Sequence, residues 1–461
     1  MRPPAGGIGF SSPTALLSLW ALLALLAGGC ASYDAAPLPA QGPLARSVAA
    51  LRHDTTLPAA LQVEDVARLA LLNDPDLVAA RTRHKVADAQ LLQAGILPNP
   101  QLSLSATPTL IGPPGSATAW NAAVSQDLRA FILRPTGVRA ARADLRDVDA
   151  QILWQEWQVV GQARLLAVQL IEEKRTLALL GDLRAMLARR VADRQQALAA
   201  GDATYATVAP DLAALADAET RRHDADRLVL QQRHALAALL GLAPDATLIL
   251  ADRSLLPPLD PAAIRAGLSG LGARRPDLLA LRWGYLAADQ RLRGALLSQF
   301  PALNFGANGG SDNTNVRGFG PQLTLDLPLF DRGQGRIAAA RATRAQLRAE
   351  YVARIAASTG EVQARLDELA LLDRQIDSAR AQLPAVRAAA DAAARPDTAS
   401  LLDPQARIDL ISARTLRESE LITLEQSRLE QTVAIETLAG IGMPTVTIPQ
   451  PGATVGPGRA A

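Results

Sequence analysis

The stretch LPLFDRGQGRIAAARA, Leu327 to Ala342, repeats in outline the stretch LRAFILRPTGVRAARA, Leu128 to Ala143. Each is a strand-like apolar run that meets a turn and becomes a helix-forming run rich in Ala and Arg. The echo extends upstream. NDPDLVAARTRHKVADAQLLQAGILPNPQLSLSA, from Asn73, is answered by RRPDLLALRWGYLAADQRLRGALLSQFPALNFGA, from Arg274. A period of about 200 residues is far longer than the roughly 20–50 of solenoid repeats, so the chain reads as two copies of one large unit.

Each unit follows one plan. Pro75 and Pro276 suit a first helical turn, where proline gives up no needed N–H. The helices stop before Pro98 and Pro301, and the pattern then alternates. Leu102 and Leu104 stand between Gln101, Ser103 and Ser105; Trp120, Ala122 and Val124 stand between Asn121, Ala123 and Ser125. In the second unit Leu303 and Phe305 alternate with Asn304 and Gly306, and Phe319, Leu323, Leu325 and Leu327 with Gly318, Gln322, Thr324 and Asp326. Period two gives strands with one apolar and one polar face. A transmembrane β-barrel uses such strands; two hairpins of a soluble sheet also fit. Pro108 and Pro321 are awkward in either, because proline cannot donate to the ladder.

Long helical stretches follow. Leu145, Val148, Ile152, Val159, Leu166, Leu170, Leu177, Leu180, Leu187 and Val191 recur by threes, fours and sevens, as do Leu347, Tyr351, Ile355, Val362, Leu366, Leu369, Ile376, Leu383 and Val386. That spacing predicts coiled-coil-like seams, kinked in the second copy at Pro384. Both helices reverse at comparable places, GDATYATVAPDL from Gly201 and RPDTASLLDPQA from Arg395, and return helices follow.

The fold class expected is mostly α with a small β part, a tandem repeat of long antiparallel helices with four strands per chain. Repeat 1 spans 62–245, with a hairpin at about 100–128 and a helical hairpin at about 137–241. Repeat 2 spans 246–444, with the corresponding parts at about 301–328 and 335–440. Residues 445–461 read as a disordered Pro- and Gly-rich tail.

The beginning is of a different kind. After Arg2, the run ALLSLWALLALLAGGC ends on the single cysteine, Cys30. Residues 1–29 have the shape of a secretory signal. A lone cysteine directly behind resembles a bacterial lipobox, with Ala27 where Leu is usual; Ala31 rather than aspartate then implies outer-membrane sorting. The other reading is a free thiol in an uncleaved leader. Residues 30–61, rich in Pro, Ala and Gly, read as a tether. A formal net charge of +2 gives no nucleic-acid footprint. The four histidines are too scattered for a metal site, and no nucleophile pair or phosphate loop is present, so neither enzyme, metal nor cofactor is expected.

Four strands cannot close a barrel, which takes about eight or more, and open edges are not tolerated in lipid. Several copies would have to pool their strands. The paired halves, the LPNPQLSLS and RRPDL…FPALNF stretches and LPLFDRGQGRIAAARA resemble the TolC-like outer-membrane factor family, in its lipoprotein form. The FDRGQG turn is closest to the heavy-metal (cobalt-zinc-cadmium) efflux branch, whose third position is commonly Asn where Gly333 stands. The resemblance implies a homotrimer with a twelve-stranded barrel in the outer membrane and a helical tunnel across the periplasm. It implies a periplasmic adaptor and an inner-membrane RND-type transporter as partners, outer-membrane lipids around the barrel, and passive export of heavy-metal cations or small toxic compounds. Drug efflux or type I secretion is the alternative within the family; a lipidated periplasmic adaptor or coiled-coil scaffold is the alternative outside it.

The resemblance also assigns roles. The helix reversals would form the gating and adaptor-docking tips, at Gly201, Asp202 and Thr204 and at Arg395, Asp397 and Thr398. Asp403 matches one of a pair of gate aspartates, with Ser400 in the other position. An Asp-Pro N-cap accounts for Asp403 equally simply. Trp120 and Phe319 are membrane-interface anchors or plain strand aromatics.

Overall fold

A computed structural model of the chain describes residues 33–40, 42–111, 113, 115–395 and 403–448. The leader, Cys30, Asp397, Thr398 and Ser400 lie outside the described residues. The chain divides into two units, Met1–Pro43 and Leu44–Ala461. In the first, residues 33–40 and 42–43 are exposed and form neither helix nor strand.

The second unit contains helices α1 (Val63–Asn73), α2 (Pro75–Gly95), α3 (Arg129–Ala200), α4 (Tyr205–Leu239), α5 (Pro261–Ala266), α6 (Leu271–Arg274), α7 (Pro276–Leu297), α8 (Gln334–Ala394) and α9 (Pro404–Ala439). Its strands are β1 (Gln101–Thr107), β2 (Ala119–Asp127), β3 (Leu303–Ser311) and β4 (Arg317–Leu325). The sequence α2-β1-β2-α3-α4 is thus repeated as α7-β3-β4-α8-α9. The fold is mostly helical with one small antiparallel sheet, as the repeat implied.

Local chemistry sets the element ends. Asp74 accepts a hydrogen bond from the Leu77 N–H at 2.7 Å, and Pro75 opens α2. Gly201 and Gly440, both left-handed at φ 86° and 60°, close α3 and α9. The first long helix begins eight residues earlier than the expected 137. Leu128 is already helical, and Asp127 Oδ1 accepts from the Arg129 N–H at 2.8 Å. Pro135 therefore lies inside α3 and costs it one hydrogen bond, rather than marking a turn before it. In the second copy the chain stays non-helical from Asp326 to Gly333, so the two junctions differ in geometry.

The predicted seams are buried in part, with Leu145, Val148, Leu166 and Leu177 of α3 and Leu347, Tyr351, Ile355 and Val386 of α8 only half-buried. Ile152, Val159, Leu170, Leu180, Leu187 and Val191 are interior on α3, and Val362, Leu366, Leu369, Ile376 and Leu383 on α8. α8 continues through Pro384. The main core joins α1, α2, α3 and the end of α4 through Leu69, Leu77, Leu170, Ile171, Leu236 and Leu240. A second, with Val362, Leu366, Leu369, Ile435 and Ala439, joins α8 to α9.

Two stretches expected to be loose are docked in part. Of the tether, Ala45 and Leu61 form parallel bridges with Leu242 and Leu250, and Leu51 and Leu61 are buried in the main core. Of the tail, Val446 donates its N–H to Ala273 at 2.8 Å, and Ile448 is buried with Ala150, Leu279 and Ala280. Pro and Gly content concealed both contacts, because a short apolar segment needs only a groove and two backbone bonds to dock.

Candidate functional site

The four strands form one sheet in the order β1-β2-β3-β4, every neighbour antiparallel. Its register sorts the side chains cleanly. Leu104 pairs with Ala122, Val124 with Ala307, Phe305 with Leu323, and Leu303 with Leu325, all on one face. Ser103 pairs with Ala123, Ser125 with Gly306, Gly306 with Gln322, and Asn304 with Thr324 on the other. Within the strands the polar face carries a single charged side chain, Asp127, at its helix end. The apolar face is bare: Leu104 is 72%, Leu323 64% and Phe319 85% exposed. Among the described residues neither outer edge, on β1 or β4, has a pairing strand.

Strands β2 and β3 approach closely at two glycines. A Cβ on Gly306 would lie 2.0 Å from the Val124 carbonyl oxygen, and one on Gly310 2.4 Å from that of Trp120. The two backbones approach so closely on the polar face that no side chain fits there.

Trp120 and Phe319, the predicted anchors, both lie on the apolar face at the hairpin-tip end. Phe319 sits across from Gly309. At the helix end of the sheet Phe300 and Phe330 are also exposed, at 64% and 92%. They lie just outside the alternating runs, so no period marked them.

The DRGQG turn is a connected set of hydrogen bonds. Asp331 Oδ1 accepts from the Gly333 N–H at 2.7 Å. Gln334 Oε1 accepts from the Arg332 N–H at 2.8 Å, while its Nε2 donates to the Phe330 carbonyl at 3.1 Å. Gly333 is left-handed at φ 77°, a conformation that Gly and Asn share. The turn therefore needs a residue that tolerates this backbone conformation, and Gly333 supplies it.

At the first tip Asp202 donates its N–H to Ala197 at 2.9 Å around left-handed Gly201. Thr207 Oγ1 accepts from the Thr204 N–H at 3.2 Å, so α4 starts one turn later. At the second tip Arg395 ends the described part of α8's side and Asp403 begins that of α9. Asp403 occupies the N-cap position before Pro404, yet its exposed carboxylate makes no capping hydrogen bond. The cap reading accounts for its place but not for its side chain.

Buried polar groups tie the helices together. Arg164 on α3 lies between Glu64 of α1 (2.8 Å) and Glu436 of α9 (3.0 Å). Burial raises the Glu436 pKa, Arg164 opposes the rise, and Glu64 adds to it. Trp157 donates to the Thr437 carbonyl at 2.9 Å. Arg275 holds Asp277 with two bonds of 2.9 and 2.8 Å and lies 5.0 Å from the Trp154 ring centre. Between α3 and α7, Asp147 is pushed up by burial first and by the like charge of Asp144. Apart from Asp277 beside Arg275 and Asp144 beside Asp147, these partners lie far apart in sequence, so no spacing rule reveals them. Among the described residues no helix is long and apolar enough to cross a membrane, and no three His, Cys, Asp or Glu side chains gather as a metal site.

A two-faced sheet with open edges, carried on paired helices of 72 and 61 residues, is a fold shared with solved bacterial outer-membrane channels. A membrane protein from Pseudomonas aeruginosa superimposes with a TM-score of 0.72 at 21% identity, over 90% of this chain and 98% of that one. The outer membrane protein VceC from Vibrio cholerae does so at 0.68 and 19%, over 82% and 96%. The CmeC outer membrane channel of Campylobacter jejuni gives 0.68 at 14%, over 89% and 95%. At these identities the likeness is one of fold. Residues 268–440, nearly all of the second repeat, match the family model described as Outer membrane efflux protein. No curated protein matches the sequence.

Proposed function

We propose that this protein is an outer-membrane export duct assembled from three copies. The observation that carries the reading is the sheet: a bare apolar face, a polar face whose one charge is Asp127, and two edges unpaired among the described residues, leading into the long helices. An apolar face with free edges is stable in lipid only when the edges close on one another. Three copies of four strands give twelve, above the roughly eight that closure requires. The polar face then lines a water-filled passage, and the helices continue it through the periplasm.

The family match supports a tripartite arrangement with an adaptor and an RND-type inner-membrane transporter. Heavy-metal cations or small toxic compounds are the proposed cargo, with the transporter choosing among them; Cys30 is the proposed lipid anchor. The tips carry docking and gating, Gly201, Asp202 and Thr204 on one hairpin and Arg395, Asp397, Thr398 and Ser400 on the other. Three copies of Asp403 would line the pore there. An adaptor has one helical hairpin; the two equivalent hairpins here favour the duct.

The test is fractionation of native membranes, with heat-modifiable migration of a trimer in the outer-membrane fraction expected. A salt-extractable monomer would refute the duct. Deleting the gene and profiling sensitivity to metals and to drugs assigns the cargo. For the gate, Asp403→Ala should raise single-channel conductance and weaken cation block, since three like charges attract and hold cations. Unchanged conductance with lowered stability would return Asp403 to a capping role.

A further inference from the structure

One stripe of α3 is used by neither its buried seam nor its contacts with α2 and α7. Phe131, Pro135, Arg139, Arg142 and Arg146 follow one another by fours and threes, so they stand in one row along the helix. All five are exposed, as is Ile132 beside the first. The row begins apolar next to the sheet and turns basic further down.

The flanks of α3 are occupied within the chain itself. α2 lies along one side, through Arg81 with Glu156 at 2.8 Å and His84 with Asp149 at 2.6 Å. α7 lies along the other, where Arg291 pairs with Asp144 and a Cβ on Gly284 would lie 3.4 Å from Asp147 Oδ2. These contacts take up the nearby carboxylates; Asp147 also accepts from Gln151 at 2.8 Å. Arg139, Arg142 and Arg146 are left without a hydrogen-bond or ion-pair partner among the described residues. Lower on the same helix Arg164, Arg175, Arg184 and Arg190 each meet a carboxylate.

We infer that this stripe is a lipid collar: Phe131, Ile132 and Pro135 carry the apolar surface of the sheet onto the helix, and Arg139, Arg142 and Arg146 bind the phosphates of anionic phospholipids in the periplasmic leaflet. This rests on the outer-membrane duct proposed above and says where its membrane ends. The direction of the stripe follows from helical geometry. At about 3.6 residues per turn, eighteen residues make five turns, which brings Trp157 below Arg139 and Arg164 below Arg146. On that side Trp157 holds α9, and Arg164 holds α1 and α9. In a duct those elements lie outside the passage, since inside they would fill it, and the stripe above them faces outward with them.

The lengths call for such a collar. Strands β2, β3 and β4 have nine residues and β1 has seven. At about 3.3 Å per residue and a tilt of about 40°, nine residues rise roughly 23 Å and seven roughly 18 Å, short of an apolar band of about 25 Å. Leu128 is already helical, so Phe131 and Ile132 fall in the first turn of α3 and add about 5 Å. Arg139 and Arg142 then stand about 10 and 15 Å below Ile132, beside a headgroup layer about 5–8 Å deep. Helical side chains lean toward the N-terminus, which is here the membrane end, so the arginine stems reach up to that layer. A guanidinium fork matches a phosphate, and in a zwitterionic lipid the ammonium repels it.

The test is native mass spectrometry of the full chain, purified as a trimer and offered equal amounts of phosphatidylglycerol and phosphatidylethanolamine. The wild type should retain at least fivefold more phosphatidylglycerol. Joint substitution Arg139→Gln, Arg142→Gln and Arg146→Gln should cut phosphatidylglycerol at least tenfold and leave phosphatidylethanolamine unchanged. Arg189→Gln should match the wild type, because that exposed arginine lies about 90 Å down the same helix. Excess inorganic phosphate should displace no lipid, which sets a headgroup apart from a free phosphate. Equal retention of the two lipids by the wild type, displacement by phosphate, or an unaffected triple variant overturns the collar. In native outer membranes Ile132→Cys should resist a water-soluble maleimide while Arg146→Cys reacts, with the wild type measuring Cys30; equal labelling overturns the membrane boundary. A trimer in the outer membrane that fails these tests leaves the duct standing, whereas a salt-extractable monomer overturns both.

Discussion

At the scale of single residues, backbone conformation explains more than side-chain identity does. Gly333 sits at φ 77° between Asp331 and Gln334, whose side chains close the turn before α8. Asn tolerates that conformation, and a β-branched residue does not. Gly333→Asn should leave thermal stability nearly unchanged, whereas Gly333→Val should cost about 1–2 kcal/mol. Equal losses in Tm for the two would show that the left-handed turn is not what Gly333 supplies. Gly306 is constrained differently, by an overlap of its would-be Cβ with the Val124 carbonyl. The period-two pattern hid this, because glycine on a polar face reads simply as a missing side chain.

At the scale of elements, the helices follow their seams and the joints follow polar contacts. The apolar spacing in α3 and α8 was legible because every buried seam residue lies on one helical stripe. The start of α3 was not, because Pro135 looks like punctuation while Asp127 supplies a cap that allows the helix to begin earlier. Asp147 belongs to the α3–α7 joint, and its pKa is raised chiefly by burial, with Gln151 and Arg291 opposing. A raised carboxyl pKa means the native state holds the proton more tightly than the unfolded chain. The stability this gives is present below the unfolded value and is lost as pH rises through the folded one. Asp147→Asn removes that loss, so the variant should gain on the wild type as pH is raised from about 3 to 7. Melting curves across that range with a constant difference would refute the assignment.

At the scale of the whole molecule, the sheet is unfinished as a single chain. Its apolar face holds Leu102, Leu104, Phe319, Leu323 and Leu325 exposed, and among the described residues its edge strands have no outer partners. On the duct reading that face meets lipid. Leu323→Arg should then destabilise the inserted barrel by about 2–4 kcal/mol, while Gln322→Arg on the passage side should be far milder. Resistance of the assembled species to heating in detergent measures the difference. Equal effects on the two faces would argue against a lipid-facing surface.

The sequence by itself determined the repeat, the strand faces and the helical seams, because periodicity is a one-dimensional property that reports which side of an element is apolar. It also located the tips, through Gly201 and the Asp403-Pro404 pair. Only the tertiary structure decided which elements neighbour one another and what they spend their polar groups on. Arg164 bridges Glu64 and Glu436 across hundreds of residues, and Leu61 and Ile448 dock where composition suggested loose chain. Only the register could show that β1 and β4 are the two outer strands, since pairing between distant strands follows from packing rather than from any local spacing.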